Sequence, residues 1–156
     1  LAALWALKQV AEKGDDRTIS GVCARLEHEN SHVREVAVQA LTEVAEKGDE
    51  RAISGVCARL KDANGYVRQK ALQALIEVAE KGDERAITGA CAGLEDKDQA
   101  VRLKAFFPLE FLAEKGNERA IHAVCARLEH AEGNVRRTAA EALARVAEKN
   151  DERAVN

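Results

Sequence analysis

Nowhere does this 156-residue sequence approach the ~18 consecutive apolar residues of a membrane span, and no charged start followed by an apolar core marks a signal peptide. The expectation is a chain without membrane contact, intracellular and cytoplasmic. Nor is there an excess of positive charge: the formal net charge is −3. A general nucleic-acid binder carries a basic face for phosphate neutralisation, so no nucleic-acid partner is expected. Aromatic residues are scarce, limited to Trp5, Tyr66, Phe106, Phe107 and Phe111. With an apolar share made mostly of Ala, Val and Leu, the chain suits thin helical layers rather than one deep core.

What is present is repetition. The stretch VAEKGDERAI, Val44 to Ile53, returns at Val10, Val78, Leu112 and Val146, each time 34 residues on. Such a period with two helices per unit predicts an all-α solenoid of antiparallel helix pairs, about four and a half repeats long. The predicted organisation is one continuous stack over 1–156: an orphan second helix at 1–13, repeats at 14–47, 48–81, 82–115 and 116–149, and the start of a further repeat at 150–156. Because the chain begins inside a helical pattern, without methionine, and stops just inside a new unit, it reads as cut from a longer array.

Within each unit the same chemistry recurs. Gly14, Gly48, Gly82 and Gly116 are predicted to end the longer helices in the left-handed C′ conformation, since glycine has no Cβ to clash there. Asp15, Asp49, Asp83 and Asn117 follow as N-caps of the shorter helices. Ile19, Val22, Cys23 and Leu26 then form one apolar face at helical spacing, and the later copies follow suit. The longer helix opens with a Val-Arg pair and is expected to bury Val33, Ala37, Ala40, Leu41 and Val44. Cys23, Cys57, Cys91 and Cys125 occupy one column. Helix axes stack roughly 8–10 Å apart, while a disulfide needs Cα atoms within about 7 Å, so these read as small buried hydrophobes, reduced in an intracellular setting.

The pattern LxDxxxxVRxxAxxAL, seen from Leu60 through Asp62, Val67, Arg68, Ala71, Ala74 and Leu75, followed by Gly82-Asp83-Glu84-Arg85-Ala86, resembles short HEAT-type repeats, including those of phycobilin lyases. The resemblance implies a polar ladder between units, built from Asp62 and Asp96 with Arg34, Arg68, Arg102 and Arg136. His28 and His130 stand where the pattern has Asp, which breaks the ladder's expected chemistry there. The period also equals that of tetratricopeptide repeats, but their Trp, Gly, Tyr and Pro signature positions are not filled.

Catalytic groups are usually built once, whereas polar clusters here come in copies. Glu46, Asp49 and Glu50 return as helix-end chemistry. His28, His32, His122 and His130 form no HExxH pattern, and the glycines are single rather than gathered in a phosphate loop. No enzyme, no metal and no cofactor are expected.

The informative positions are those that vary on the fixed framework. Glu35, Gln39 and Glu43 lie opposite the buried face of the longer helix. Their copies read Gln69/Gln73/Glu77, Leu103/Phe107/Phe111 and Arg137/Glu141/Arg145. The third set is apolar, and large side chains left in water forgo about 1.5–3 kcal/mol each unless covered. The expectation is a non-catalytic scaffold binding a protein or peptide, with Leu103, Phe107 and Phe111 as anchors and the charged members steering. Self-association through exposed apolar residues or the ends, including Leu1 and Trp5, is a further expectation. Against this stand Pro108, in a column otherwise filled by Ala40, Ala74 and Ala142, which should interrupt the helix and could turn the aromatics inward. Other readings are a bilin lyase or chaperone-like enzyme subunit, implied by the resemblance alone, and a structural spacer or engineered array.

Overall fold

The computed structural model describes residues 12–147. Leu1, Trp5, the predicted orphan helix at 1–13 except for its last two positions, and the predicted start of a repeat at 150–156 lie outside the described residues. Every regular element described is helical. The chain splits into two compact units, Leu1–Glu80 and Lys81–Asn156.

In the first unit, α1 (Asp16–Cys23) runs on into a 3-10 turn at Ala24–Glu27 and is followed by α2 (Ser31–Val44), α3 (Glu50–Arg59) and α4 (Gly65–Val78). The short helices α1 and α3 pack on each other, and so do the long ones, α2 and α4. Ala37, Leu41, Ala71 and Leu75 are fully buried, so small and large residues alternate along the seam and the two helix backbones approach closely. Val33 is only half-buried, whereas its copy Val67 is enclosed.

In the second unit, α5 (Glu84–Gly93) precedes a divided long helix, α6 (Gln99–Lys104) and α7 (Phe106–Leu112), and then come α8 (Glu118–Ala126) and α9 (Gly133–Val146). The division falls at Ala105, three residues before Pro108. Proline has no N–H to give to the Lys104 carbonyl, and its ring crowds that oxygen. A helix restarting at Phe106 places Pro108 in its first turn, where an amide would lack an intrahelical acceptor anyway. The break is local, because Ala105 keeps right-handed helical angles (φ −66°, ψ −20°). The register survives it: Phe106, Leu109 and Leu112 face the core, while Phe107 and Phe111 stay outside. The proline therefore interrupts the helix without turning those two aromatics inward.

The VAEKGDERAI turn does more than stop and start helices. The long helices end two residues earlier than the glycines suggest, at Val44 and Val78, where Ala45 and Ala79 turn to extended backbone. Gly48, Gly82 and Gly116 are thus not helix C-caps. They take φ of 80–90° in the tight turn that follows, as between Glu46 and Asp49, whose ends are joined by a 3.1 Å hydrogen bond. Positive φ leaves each glycine amide free to point at the next repeat, where Gly14, Gly48, Gly82 and Gly116 donate to the last helical carbonyls of Val44, Val78, Leu112 and Val146 at 2.7–3.0 Å. One turn thereby satisfies an orphan carbonyl of its neighbour. Asp15, Asp49, Asp83 and Asn117 then accept from first-turn amides of the short helices.

The cysteine column is less enclosed than a core position. Only Cys91 is buried, and Cys23, Cys57 and Cys125 are half-buried. Each follows a core valine or alanine by one residue, a rotation of about 100° that carries it to the edge of the apolar stripe. Burial pushes the Cys91 thiol up to about 11 and raises Cys23 as well.

Candidate functional site

The loop before each long helix is held by the arginine of its Val-Arg pair. Arg34 donates through Nη1 to the carbonyls of His28 and Glu29, Arg68 to those of Asp62 and Ala63, Arg102 to Asp96 and Lys97, and Arg136 to His130 and Ala131. Main-chain oxygens serve as acceptors, so this staple is indifferent to whether the loop carries Asp or His. The second arm is not indifferent. Arg34 also reaches 28 residues ahead to Asp62, Nε to Oδ2 at 2.7 Å and Nη2 to Oδ1 at 2.8 Å, a two-point pairing with a carboxylate that is 2% exposed.

Histidine reproduces half of what the aspartate does. Asp62 and Asp96 accept the amide two residues on, from Asn64 and Asp98, and His28 and His130 do the same through Nδ1, from Asn30 and Glu132. Neutral imidazole offers no charge to an incoming guanidinium. Position 130 stands to Arg102 as Asp62 stands to Arg34, since 130 − 102 equals the 28 of that pair. Arg102 is buried and its Nε has no hydrogen-bond partner. His130→Asp is therefore expected to supply the missing acceptor and stabilise the chain by about 1 kcal/mol, less than a fully enclosed charged hydrogen bond gives because position 130 is half-buried. Thermal unfolding should show Tm rising by roughly 2–4 °C. An unchanged or lower Tm refutes the assignment.

The variable positions fall into two surfaces, one in each unit. In the first, Gln39, Thr42 and Glu43 of α2 and Lys70, Gln73 and Glu77 of α4 line an open groove of about 350 Å³. Its walls carry two amides, which both donate and accept, and two carboxylates against one ammonium. Glu35 lies outside it, half-buried and 3.5 Å from His32 Nδ1.

In the second unit, Leu103, Phe107 and Phe111 are 45%, 55% and 41% exposed, and with Tyr66 they are the large apolar or aromatic side chains left open among the described residues. Cations stand against the rings: Lys104 Nζ is 5.7 Å from the Phe107 centroid, Lys81 Nζ 5.8 Å from that of Phe111, and Arg145 Cζ 5.4 Å from that of buried Phe106. Arg145 of α9 also holds Glu110 of α7 at 2.6 Å. Arg137 and Glu141 are exposed on α9. Sequence reasoning missed the two lysines and also Asn30, Asn64 and Asp98, which cap the long helices. The caps were readable as Asn or Asp just before a periodic run. Lys104 lies three residues from Phe107, but nothing local ties Lys81 to Phe111.

Among the described residues no group of three or more His, Cys, Asp or Glu is placed to hold a metal ion, and no helix is long and apolar enough to cross a membrane.

Residues 1–76 match the family model described as HEAT repeats. No curated protein matches it. Among solved structures it is similar to an engineered protein (18% identity, TM-score 0.56, over 85% of this chain and 66% of that one). It is also similar to a designed armadillo repeat protein in complex with the peptide (KR)4, at 21% identity and TM-score 0.57, over 92% of this chain and 74% of that one. Human deoxyhypusine hydroxylase matches at 21% identity and TM-score 0.62, over 87% of this chain. The chain spans 66% of the engineered protein's length and 46% of the hydroxylase's. At these identities the likeness shows the fold alone, an all-α repeat of the solenoid class.

Proposed function

We propose that this HEAT-like array is a non-catalytic interaction scaffold that binds a protein or peptide through the exposed face of its longer helices, with Leu103, Phe107 and Phe111 as anchors. The observation that carries the reading is the exposure of those three side chains beside a well-packed core. Scattered exposed apolar residues are ordinary, but three brought to the outer side of one helix pair, two of them aromatic, have the composition of an interface centre. The first unit's groove, with Gln39, Glu43, Gln73 and Glu77, is a second contact suited to polar peptide groups, and the designed armadillo neighbour binds a peptide, (KR)4. Arg137, Glu141 and Arg145 would tune specificity more than affinity. Cysteines spaced one to a repeat fit a reducing, cytoplasmic setting.

Peptides selected from a random display library against the whole chain provide the test. Binding of the selected peptides is expected to weaken tenfold or more in a Phe107→Glu, Phe111→Glu double variant, both positions being exposed enough to leave the fold intact by circular dichroism. Undiminished binding, or no peptide recovered, sinks this placement of the site.

A further inference from the structure

Resting on that reading, we infer that the second unit's surface takes a partner segment that is acidic as well as apolar: a short peptide whose large side chains cover Leu103, Phe107 and Phe111 and whose carboxylates meet Lys81 and Lys104. The reason lies in how charge is distributed around the rings. Each exposed phenyl ring already has an ammonium against it, at 5.7 and 5.8 Å. Neither lysine has a carboxylate partner among the described residues, and the acid of α7 itself, Glu110, is taken by Arg145 at 2.6 Å. A ring satisfies only part of an ammonium, which keeps donors for water in the free protein.

Docking changes that balance. An apolar side chain laid on Phe107 or Phe111 removes water from the adjoining lysine, and an ammonium that loses water without gaining a counter-charge opposes binding. A carboxylate three or four residues from the apolar anchor on a partner helix, or next to it on an extended strand, supplies the counter-charge. A basic partner would meet two uncompensated cations and be rejected. The same lysines that stand against the rings thus select the partner's charge.

The experiment uses the whole chain and the display selection described above. The expected result is enrichment of Asp or Glu flanking large apolar residues, binding that weakens steeply between 50 and 300 mM salt (roughly those limits, set by screening), and a fivefold or greater loss in a Lys81→Glu, Lys104→Glu double variant. Both lysines are exposed, so reversal leaves folding intact, and basic peptides should then replace acidic ones in a fresh selection. Peptides that depend on Phe107 and Phe111 yet are neutral or basic, with no loss on lysine reversal, overturn the inference while leaving the scaffold reading standing. Peptides indifferent to Phe107 and Phe111 overturn both. Recovery of no acidic peptide together with binding to phosphatidylserine vesicles would assign the cations to a lipid surface and likewise overturn it.

Discussion

Asp62→Ala is expected to lower stability by about 3 kcal/mol, the lower end of the range for breaking a buried pair because Arg34 is 13% exposed. For a chain of this size the corresponding fall in Tm is roughly 6–12 °C. The carboxylate answers two arginines and an amide at once: Arg34 at 2.7 and 2.8 Å, the Asn64 amide at 2.9 Å and Arg59 Nη1 at 3.6 Å. Removing it leaves the Arg34 Nε and Nη2 donors without their acceptor in a partly enclosed site and loosens the turn that opens α4.

The same group sets a pH dependence of known sign. Burial by itself pushes the Asp62 carboxyl up, but the Arg34 hydrogen bonds, the Asn64 amide and the charges of Arg34 and Arg59 outweigh it, and the pKa ends below the ordinary carboxylate value. A group whose folded pKa is depressed contributes stability above its unfolded value, about 3.9, and loses it as pH falls through the folded one. Urea unfolding between about pH 7 and pH 2 should therefore show an acid limb in the parent chain that is shallower in Asp62→Ala. Parallel limbs would show that the carboxylate is not held by charge.

Pro108→Ala is expected to act in the opposite direction, stabilising by about 2 kcal/mol. The break at Ala105 already spares Pro108 a clash within a continuous helix, so what alanine restores is the continuity lost between α6 and α7: of the about 3 kcal/mol that proline costs inside a helix, about 1 kcal/mol is offset by its smaller unfolded-state entropy. Alanine fits the space, since Ala40, Ala74 and Ala142 are buried in the same column. The new amide would donate to the Lys104 carbonyl and join α6 to α7 in one helix over 99–112. Tm should rise by roughly 4–8 °C, and amide exchange should slow near the join. Because Ala105 already keeps helical angles, Phe107 and Phe111 should remain exposed and peptide binding should not weaken. A stabilised variant that loses binding would mean that the break itself shapes the interface.

The value of the 34-residue register is clearest at Phe106 and Phe107, adjacent in sequence and opposite in fate. Phe106 stands in the column of Val38 and Leu72 and is buried, whereas Phe107 stands in that of Gln39 and Gln73 and is exposed. Period and column sufficed because a helix turns by a fixed angle per residue, whatever its neighbours do. The glycines show the opposite case. Composition marks Gly48 as a conformational special position, but assigning it to the end of α2 misplaces its work, which is to donate to Val78 of the next repeat at 2.8 Å.

By itself, then, the sequence determined the repeat length, the alternation of short and long helices, the aspartate caps and the core columns, all of which follow from local backbone chemistry and helical periodicity. Only the tertiary structure decided that the glycine amides close the neighbouring helices, that Arg34 pairs with Asp62 while Arg102 Nε goes without, that the helix breaks at Ala105, and that Lys81 and Lys104 stand over Phe111 and Phe107. The physical reason is separation. Most of these contacts join groups 28 to 30 residues apart, and their geometry depends on the spacing between stacked helices and on side-chain rotamers, neither of which a local pattern encodes.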